Sequence, residues 1–339
     1  AAYNQAGVTV ELYNSSNNTG TFVAVPSCRS TWSAIGGGTS VTVNFAAGVA
    51  TATFTGATMT ANSFRDVRIH VVKAGAGAGE GCSTDNFAIR PASIAVTGHD
   101  ATWQTSGTTR QLNNTVAIGG VVHAASESAA ATPRPFTLRA SPQPATATNY
   151  DGTPTAVSGF PACVLPAGCA TGTLSFNGAS WTAAGSGVRE NATAHYAEAG
   201  TFNLQLEDAA YAAVDTADGS NAATRTIPAT ATAQIGRFVP DRFTFSGANT
   251  PQFRTYSTAC VAARSFTYIG QPFWYVAASL PTATLNAVNA NGTVTSNYRG
   301  ALFKLTAAGL SETYSNNATG PAPDTSLAGA PTNPPTLTG

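Results

Sequence analysis

Four carboxylates fall within twelve residues, Glu207, Asp208, Asp215 and Asp218, and they form the one set in the chain with the chemistry to hold a metal ion. Calcium takes hard oxygen ligands in flexible geometry, which loop acids can supply. Their spacing follows no defined calcium loop, so solvated loop acids are the plain alternative, and no other cofactor is implied. Catalytic signatures are missing: there is no G-x-S-x-G elbow and no H-E-x-x-H pair. His70, His99, His123 and His195 share no local spacing and read as sheet-surface side chains. The run AGAGAGEG, Ala74 to Gly81, alternates glycine like a phosphate loop, but no strand-loop-helix context follows, so it reads as a hairpin tip. The chain is therefore expected not to be an enzyme.

Five cysteines stand at 28, 82, 163, 169 and 260, none in a metal-binding C-x-x-C pair. The simplest arrangement joins Cys28 to Cys82 and Cys163 to Cys169, leaving Cys260 unpaired or bonded to another molecule. Five reduced thiols inside a cell are the alternative, but charged residues make up only 9% of the chain and its β-rich pattern suits an oxidising, extracellular setting. Sixteen basic residues balance sixteen acidic ones and lie scattered, so there is no basic patch for nucleic acid. No apolar run reaches the length of a membrane span. The opening AAYNQAGVTVELY is not built as a signal peptide, and the chain is expected to be an internal piece of a longer exported protein.

The elements carrying these residues are strands. Val8, Val10 and Leu12 alternate with Thr9, Glu11 and Tyr13; Val41, Val43 and Phe45 repeat the pattern. In FRDVRIHVV, Val67, Ile69 and Val71 are expected inward and Asp66, Arg68 and His70 outward. No window sustains a helical period. The fold class is all-β, tandem immunoglobulin-like antiparallel sandwiches, divided as 1–92, 93–237 with a long stapled surface loop over Ser141 to Gly172, and 238–339, an incomplete β-domain with a loop-like tail. In the third unit, strands are expected at Arg242 to Phe245, Phe266 to Ile269, Ala283 to Val288 and Leu302 to Thr306. Joints are expected at Asn86, Phe87, Arg90 and Pro91, and again at Arg237, Phe238 and Pro240. Tyr196, just before the turn Glu198-Ala199-Gly200, should bury its ring and bond its hydroxyl to backbone.

CSTDNFAIRP, YDGTP (Tyr150 to Pro154), YAEAGTFNLQLED (Tyr196 to Asp208), IGRFVPDRFTF (Ile235 to Phe245) and RSFTYIGQPF (Arg264 to Phe273), in that order, resemble the C-terminal half of MshQ-like proteins, encoded with mannose-sensitive haemagglutinin type IV pilus systems. The resemblance implies a bacterial cell-surface protein tied to pilus biogenesis or adhesion, with no catalytic residues to carry over. Two roles follow as expectations. In the first, tandem sandwiches form a stalk or fibre whose partners are other copies of itself or pilus components, with strand addition completing the third unit. In the second, exposed aromatics such as Trp103, Trp181, Trp274 and Tyr298 bind surface glycans.

Overall fold

The computed structural model describes residues 4–23, 28–36, 40–54, 62–100, 110–112, 122–126, 134–247, 249–250 and 282–306. The first unit comprises β1 (Val8–Asn14), β2 (Ser33–Ala34), β3 (Ser40–Val43), β4 (Phe64–Lys73), β5 (Gly79–Cys82) and β6 (Phe87–Ile89). They form one antiparallel sheet in the order β2-β1-β4-β5, with β3 paired to β1 and β6 to β4. Val8, Val10 and Val43 pack on one face; Cys28, Trp32 and Cys82 cluster with Tyr13. The Cys28–Cys82 disulfide closes that cluster. β1 alternates as its sequence predicts, but β4 departs from its predicted pattern. Ile69 is exposed and His70 buried, because His70 stacks on Tyr13 at 4.2 Å and its Nδ1 lies 3.2 Å from a Glu11 carboxylate oxygen.

The second unit continues with β7 (Ser93–Asp100), β8 (Arg110–Gln111), β9 (His123–Ala124), β10 (Phe136–Gln143), β11 (Thr155–Ala156), β12 (Ala162–Leu165), β13 (Leu174–Ser175), β14 (Thr182–Gly185), β15 (Val188–Tyr196), β16 (Gly200–Leu204), β17 (Leu206–Glu207) and β18 (Ala233–Val239). One sheet runs β13-β15-β10-β7-β8, a second β12-β16-β18-β9, and β11 pairs with β17. All these pairings are antiparallel except β9 with β18. The core draws on both sheets, with Ile94, Phe136, Leu138 and Tyr196 from one and Phe202, Leu204, Ile235 and Phe238 from the other. The Tyr196 ring lies 4.3 Å from Phe202 and 5.1 Å from Phe238, and Phe136 closes on Phe238 at 5.1 Å. Burying each of these rings contributes roughly 1.5–3 kcal/mol.

Ser141 to Gly172 is not only a surface loop. It supplies β11 and β12, and Ala162 to Leu165 aligns with Asn203 to Thr201, while the Cys163–Cys169 disulfide closes the turn that follows. Gly200 lets β12 lie against β16: it holds φ +122°, and a Cβ there would stand 2.1 Å from the Leu165 carbonyl oxygen. Helix is confined to Ala222–Arg225 and three-residue or four-residue 3-10 turns among the described residues.

β18 runs unbroken through residues 237 and 238, so Phe238 belongs to the second core. The third unit follows at once with β19 (Arg242–Ser246) and β20 (Thr284–Val288), antiparallel with Thr244 opposite Asn286. Leu302 to Thr306 is not a strand; a 3-10 turn at Gly300–Leu302 puts Leu302 into the interface with the second unit, near Gly200. The expected strand at Phe266 to Ile269 lies outside the described residues.

Tyr196 and Tyr211 are fully buried, and desolvation is the main cause that pushes each hydroxyl up to about 12. An unfolded tyrosine ionises near pH 10. Their stabilising contribution is therefore complete below about pH 10 and lost as pH rises through about 12. Phenolate absorbance should rise together with loss of near-ultraviolet circular dichroism in that window; full ionisation of all ten tyrosines by pH 10.5 or so, with the fold intact, would contradict it.

Candidate functional site

Between Glu198 and Asp208 the chain forms β16 and β17 with a buried carboxylate at each end, and each carboxylate accepts from four donors. Asp208 Oδ2 accepts from the Tyr150 hydroxyl at 2.8 Å and from the Thr153 amide at 3.2 Å; its Oδ1 accepts from the Ala210 and Tyr211 amides. Burial and the adjacent Asp208 charge keep the Tyr150 hydroxyl protonated far above its ordinary range. Gly152 is required here, because a Cβ would fall 2.1 Å from Asp208 Oδ2. Arg189 Nε and the Trp181 indole donate to the carbonyls of Gly152 and Pro154, so the YDGTP segment is held from three sides.

At the other end, Glu198 Oε1 accepts from Ala199 N and Asn297 N, and Oε2 accepts from Ser296 N and the Ser296 hydroxyl at 3.0 and 2.9 Å. Three of these donors belong to the third unit. Asn297 adds a two-way bond to Ala170, its side chain accepting from the amide and donating to the carbonyl, and Arg299 donates to Gly168 O. Both targets adjoin the disulfide-closed turn. Asn289 donates to Ala197 O, Ala290 N to Ala125 O, and Arg134 pairs with Asp241 at 3.1 Å. The third unit is thus fastened by directional bonds to the segments that follow β9 and β12 and to the turn between β15 and β16.

The first joint is fastened in the same manner. Ala88 N donates to Asp215 Oδ1 at 2.9 Å and the Arg90 guanidinium caps the Thr224 carbonyl. Arg65 pairs with Asp151 at 2.6 Å while lying 4.5 Å over the Tyr211 ring, and Asn62 bonds Thr148 and Asn149. Asn86 bonds back to Asp66 within the first unit, Phe87 is half-buried and Pro91 is buried. At the second joint Arg237 and Pro240 are half-buried, flanking the core ring of Phe238.

Beyond the second joint lies an open ribbon. Among the described residues β19 pairs only with β20, so its outer edge carries no strand. Register places Phe243 with Ala287 and Phe245 with Leu285 on one face, and Thr244 with Asn286 on the other, where Asn286 also bonds the Ser246 hydroxyl. The apolar face opens into a groove of about 290 Å³ whose walls include Phe243, Leu285, Tyr298 and Phe303. Tyr298 meets Phe243 at 5.6 Å and Phe303 at 5.7 Å. Phe245 is 76% and Phe243 40% exposed.

The proposed metal ligands do not converge. Both Asp208 oxygens are taken by protein donors, Glu207 sits half-buried in β17, Asp215 holds the first joint and Asp218 is exposed. Desolvation, then the neighbouring Asp85 and Asp215, raise the Asp218 carboxyl above its ordinary value. Among the described residues no group of three or more His, Cys, Asp or Glu is arranged to hold a metal ion. His123 and His195 are buried rather than on the sheet surface. His123 Nδ1 lies 3.2 Å from Asp100 Oδ1 and its Nε2 3.0 Å from the Arg134 carbonyl, and His195 Nδ1 bonds Thr193 O. Trp181 is a core residue, so it offers no glycan platform; Trp103, Trp274 and Cys260 lie outside the described residues. Tyr196 buries its ring and its hydroxyl accepts from Gly172 N at 3.1 Å. Glu198, Asn289 and Asn297 carry the second joint without any sequence signal, since their partners are distant backbone groups.

Residues 198–336 match the family model described as DUF6701, third domain. The match begins at Glu198, the residue that binds the third unit's loop, rather than at residue 238. No curated protein and no solved structure matches the chain. No helix among the described residues is long and apolar enough to cross a membrane.

Replacing Glu198 by Ala leaves the Ser296 and Asn297 amides without their acceptor and should cost about 2–4 kcal/mol in urea unfolding, most of it recovered by Asp but not by Leu. A cost below about 0.5 kcal/mol would show that water replaces the carboxylate there. Millimolar calcium should leave the melting temperature unchanged, and a saturable rise would return the Glu207 to Asp218 acids to consideration.

Proposed function

We propose that this chain is a non-enzymatic structural or adhesive segment of a bacterial surface appendage, a stiff stalk of three β-units, the first two immunoglobulin-like, divided near residues 92 and 238. The observation that carries the reading is the Glu198 carboxylate, through which the second unit binds backbone and side-chain donors of the third. Units that merely follow one another along a tether need no such contact. The Arg65, Arg90 and Asp215 contacts give the first joint the same character. The match to a DUF6701 domain and the resemblance to MshQ-like proteins support placement near a type IV pilus system, and two disulfides and a low-charge composition support placement outside the cell. Its partners are other copies of itself or pilus components, met at the open edge of β19 by strand addition.

A second reading has one specific support. Tyr298, with Phe243 and Phe303, lines an open aromatic groove of a kind that stacks on sugar rings, so a glycan-binding module is the alternative. Glycan-array binding lost in Tyr298→Ala and retained in Phe22→Ala would favour it.

Small-angle X-ray scattering on the monomeric chain distinguishes a stalk from loosely tethered beads. A stiff particle gives one scattering profile unchanged by salt, and Arg65→Ala combined with Asp215→Ala should broaden its distance distribution. A profile that requires an ensemble of bent shapes in the wild type would overturn the stalk.

A further inference from the structure

The β19 edge is self-complementary, which selects its occupant. Its sequence Arg242-Phe243-Thr244-Phe245-Ser246 carries one charge, one polar face and one aromatic face. If two such strands pair antiparallel about Thr244, Phe243 of each copy stands opposite Phe245 of the other, and both pairs fall on the apolar face. Arg242 stands opposite Ser246, and Asp241 opposite Gly247, so no like charges meet. Directly opposed side chains in an antiparallel pair approach to about 4.5–5.5 Å between Cβ atoms, close enough for the four rings to cover one another. Phe245, now 76% exposed, would lie against Phe243, the near wall of the groove.

We propose that the third unit pairs with the third unit of a second copy through β19, antiparallel with Thr244 at the two-fold axis. The proposal rests on the reading of this edge as an assembly point, and it narrows that reading to a closed pair. A two-fold contact uses the same edge on both partners and leaves none to propagate, so it ends at a dimer rather than a fibre. A five-residue edge buries less than the roughly 800 Å² per partner of a standard stable interface. The pair should therefore be weak, half-dissociated on the order of tens of micromolar.

Sedimentation equilibrium of the full chain, with free thiols blocked, reads the outcome as mass against concentration. The expected result is a reversible rise from monomer to a dimer plateau. Thr244→Lys and Thr244→Glu each put like charges face to face at the axis and should weaken the dimer roughly fivefold or more, while an equimolar mixture restores it. Thr244 lies on the ribbon's polar face, and Phe245→Lys supplies a second variant at an exposed position should either fold poorly. A wild-type chain monomeric throughout, a mass that grows past dimer, a Thr244→Lys dimer as tight as wild type, or a mixture that fails to rescue would each overturn the pairing. None of these outcomes alters the scattering profile of the monomer, which judges the stalk separately.

Discussion

A carboxylate taken out of water must find donors, and the strand run from Glu198 to Asp208 buries one at each end. Each meets four donors, so neither is left uncompensated, and in meeting them the run reaches toward both neighbours. Asp208 gathers Tyr150 and the YDGTP turn, and the same region presents Asp151 and Tyr211 to Arg65 of the first unit. Glu198 gathers the loop at Ser296 and Asn297. Contacts from the β1–β6 sheet and from the segment that follows β20 thereby meet beside one short stretch that compensates two buried carboxylates. An apolar contact at either joint would tolerate sliding; hydrogen bonds to fixed backbone amides do not.

The sequence made the strands legible wherever one face is buried and the other wet. β7 follows strict alternation and β1 does so from Val8 to Leu12, and their boundaries in the structure fall within a few residues of the pattern; β16 departs from it because Thr201 is buried beside Phe202. Alternation failed in β4 because His70, polar by type, is buried by stacking and an acidic partner that sit far away in sequence. It failed over Ser141 to Gly172 for a different reason. β11 and β12 are two and four residues long, too short for a period to show, and the proline and alanine content hides them.

The sites were legible as motifs but not as chemistry. Tyr150 to Pro154 and Tyr196 to Asp208 stand out as ordered segments, yet nothing in either announces that Tyr150 donates to Asp208 across fifty-eight residues. Acid spacing alone suggested a metal, whereas the fold consumes Asp208 and Asp215 in structural bonds and leaves Asp218 in solvent. The same limitation explains Phe238 and Arg237. A run ending in Pro-Asp reads as a hinge, but Arg237 and Phe238 are among the last residues of a core strand that ends at Val239.

The third unit differs from the other two in how it meets water. In the second unit both sheets turn their apolar faces toward each other, so alternation ends in a closed core. β19 alternates in sequence, and Phe243, Phe245, Leu285 and Ala287 share one side, but among the described residues no second layer covers Phe245. Edge strands of soluble proteins are usually blunted by charge, proline or a bulge. β19 has no proline and no bulge, and its single charge, Arg242, is at its first residue, bonded to Asp241 and to the Ala290 carbonyl. Among the described residues the β19 edge therefore carries none of these guards, and the segment that bears it is fastened through Ser296 and Asn297 to the Glu198 carboxylate.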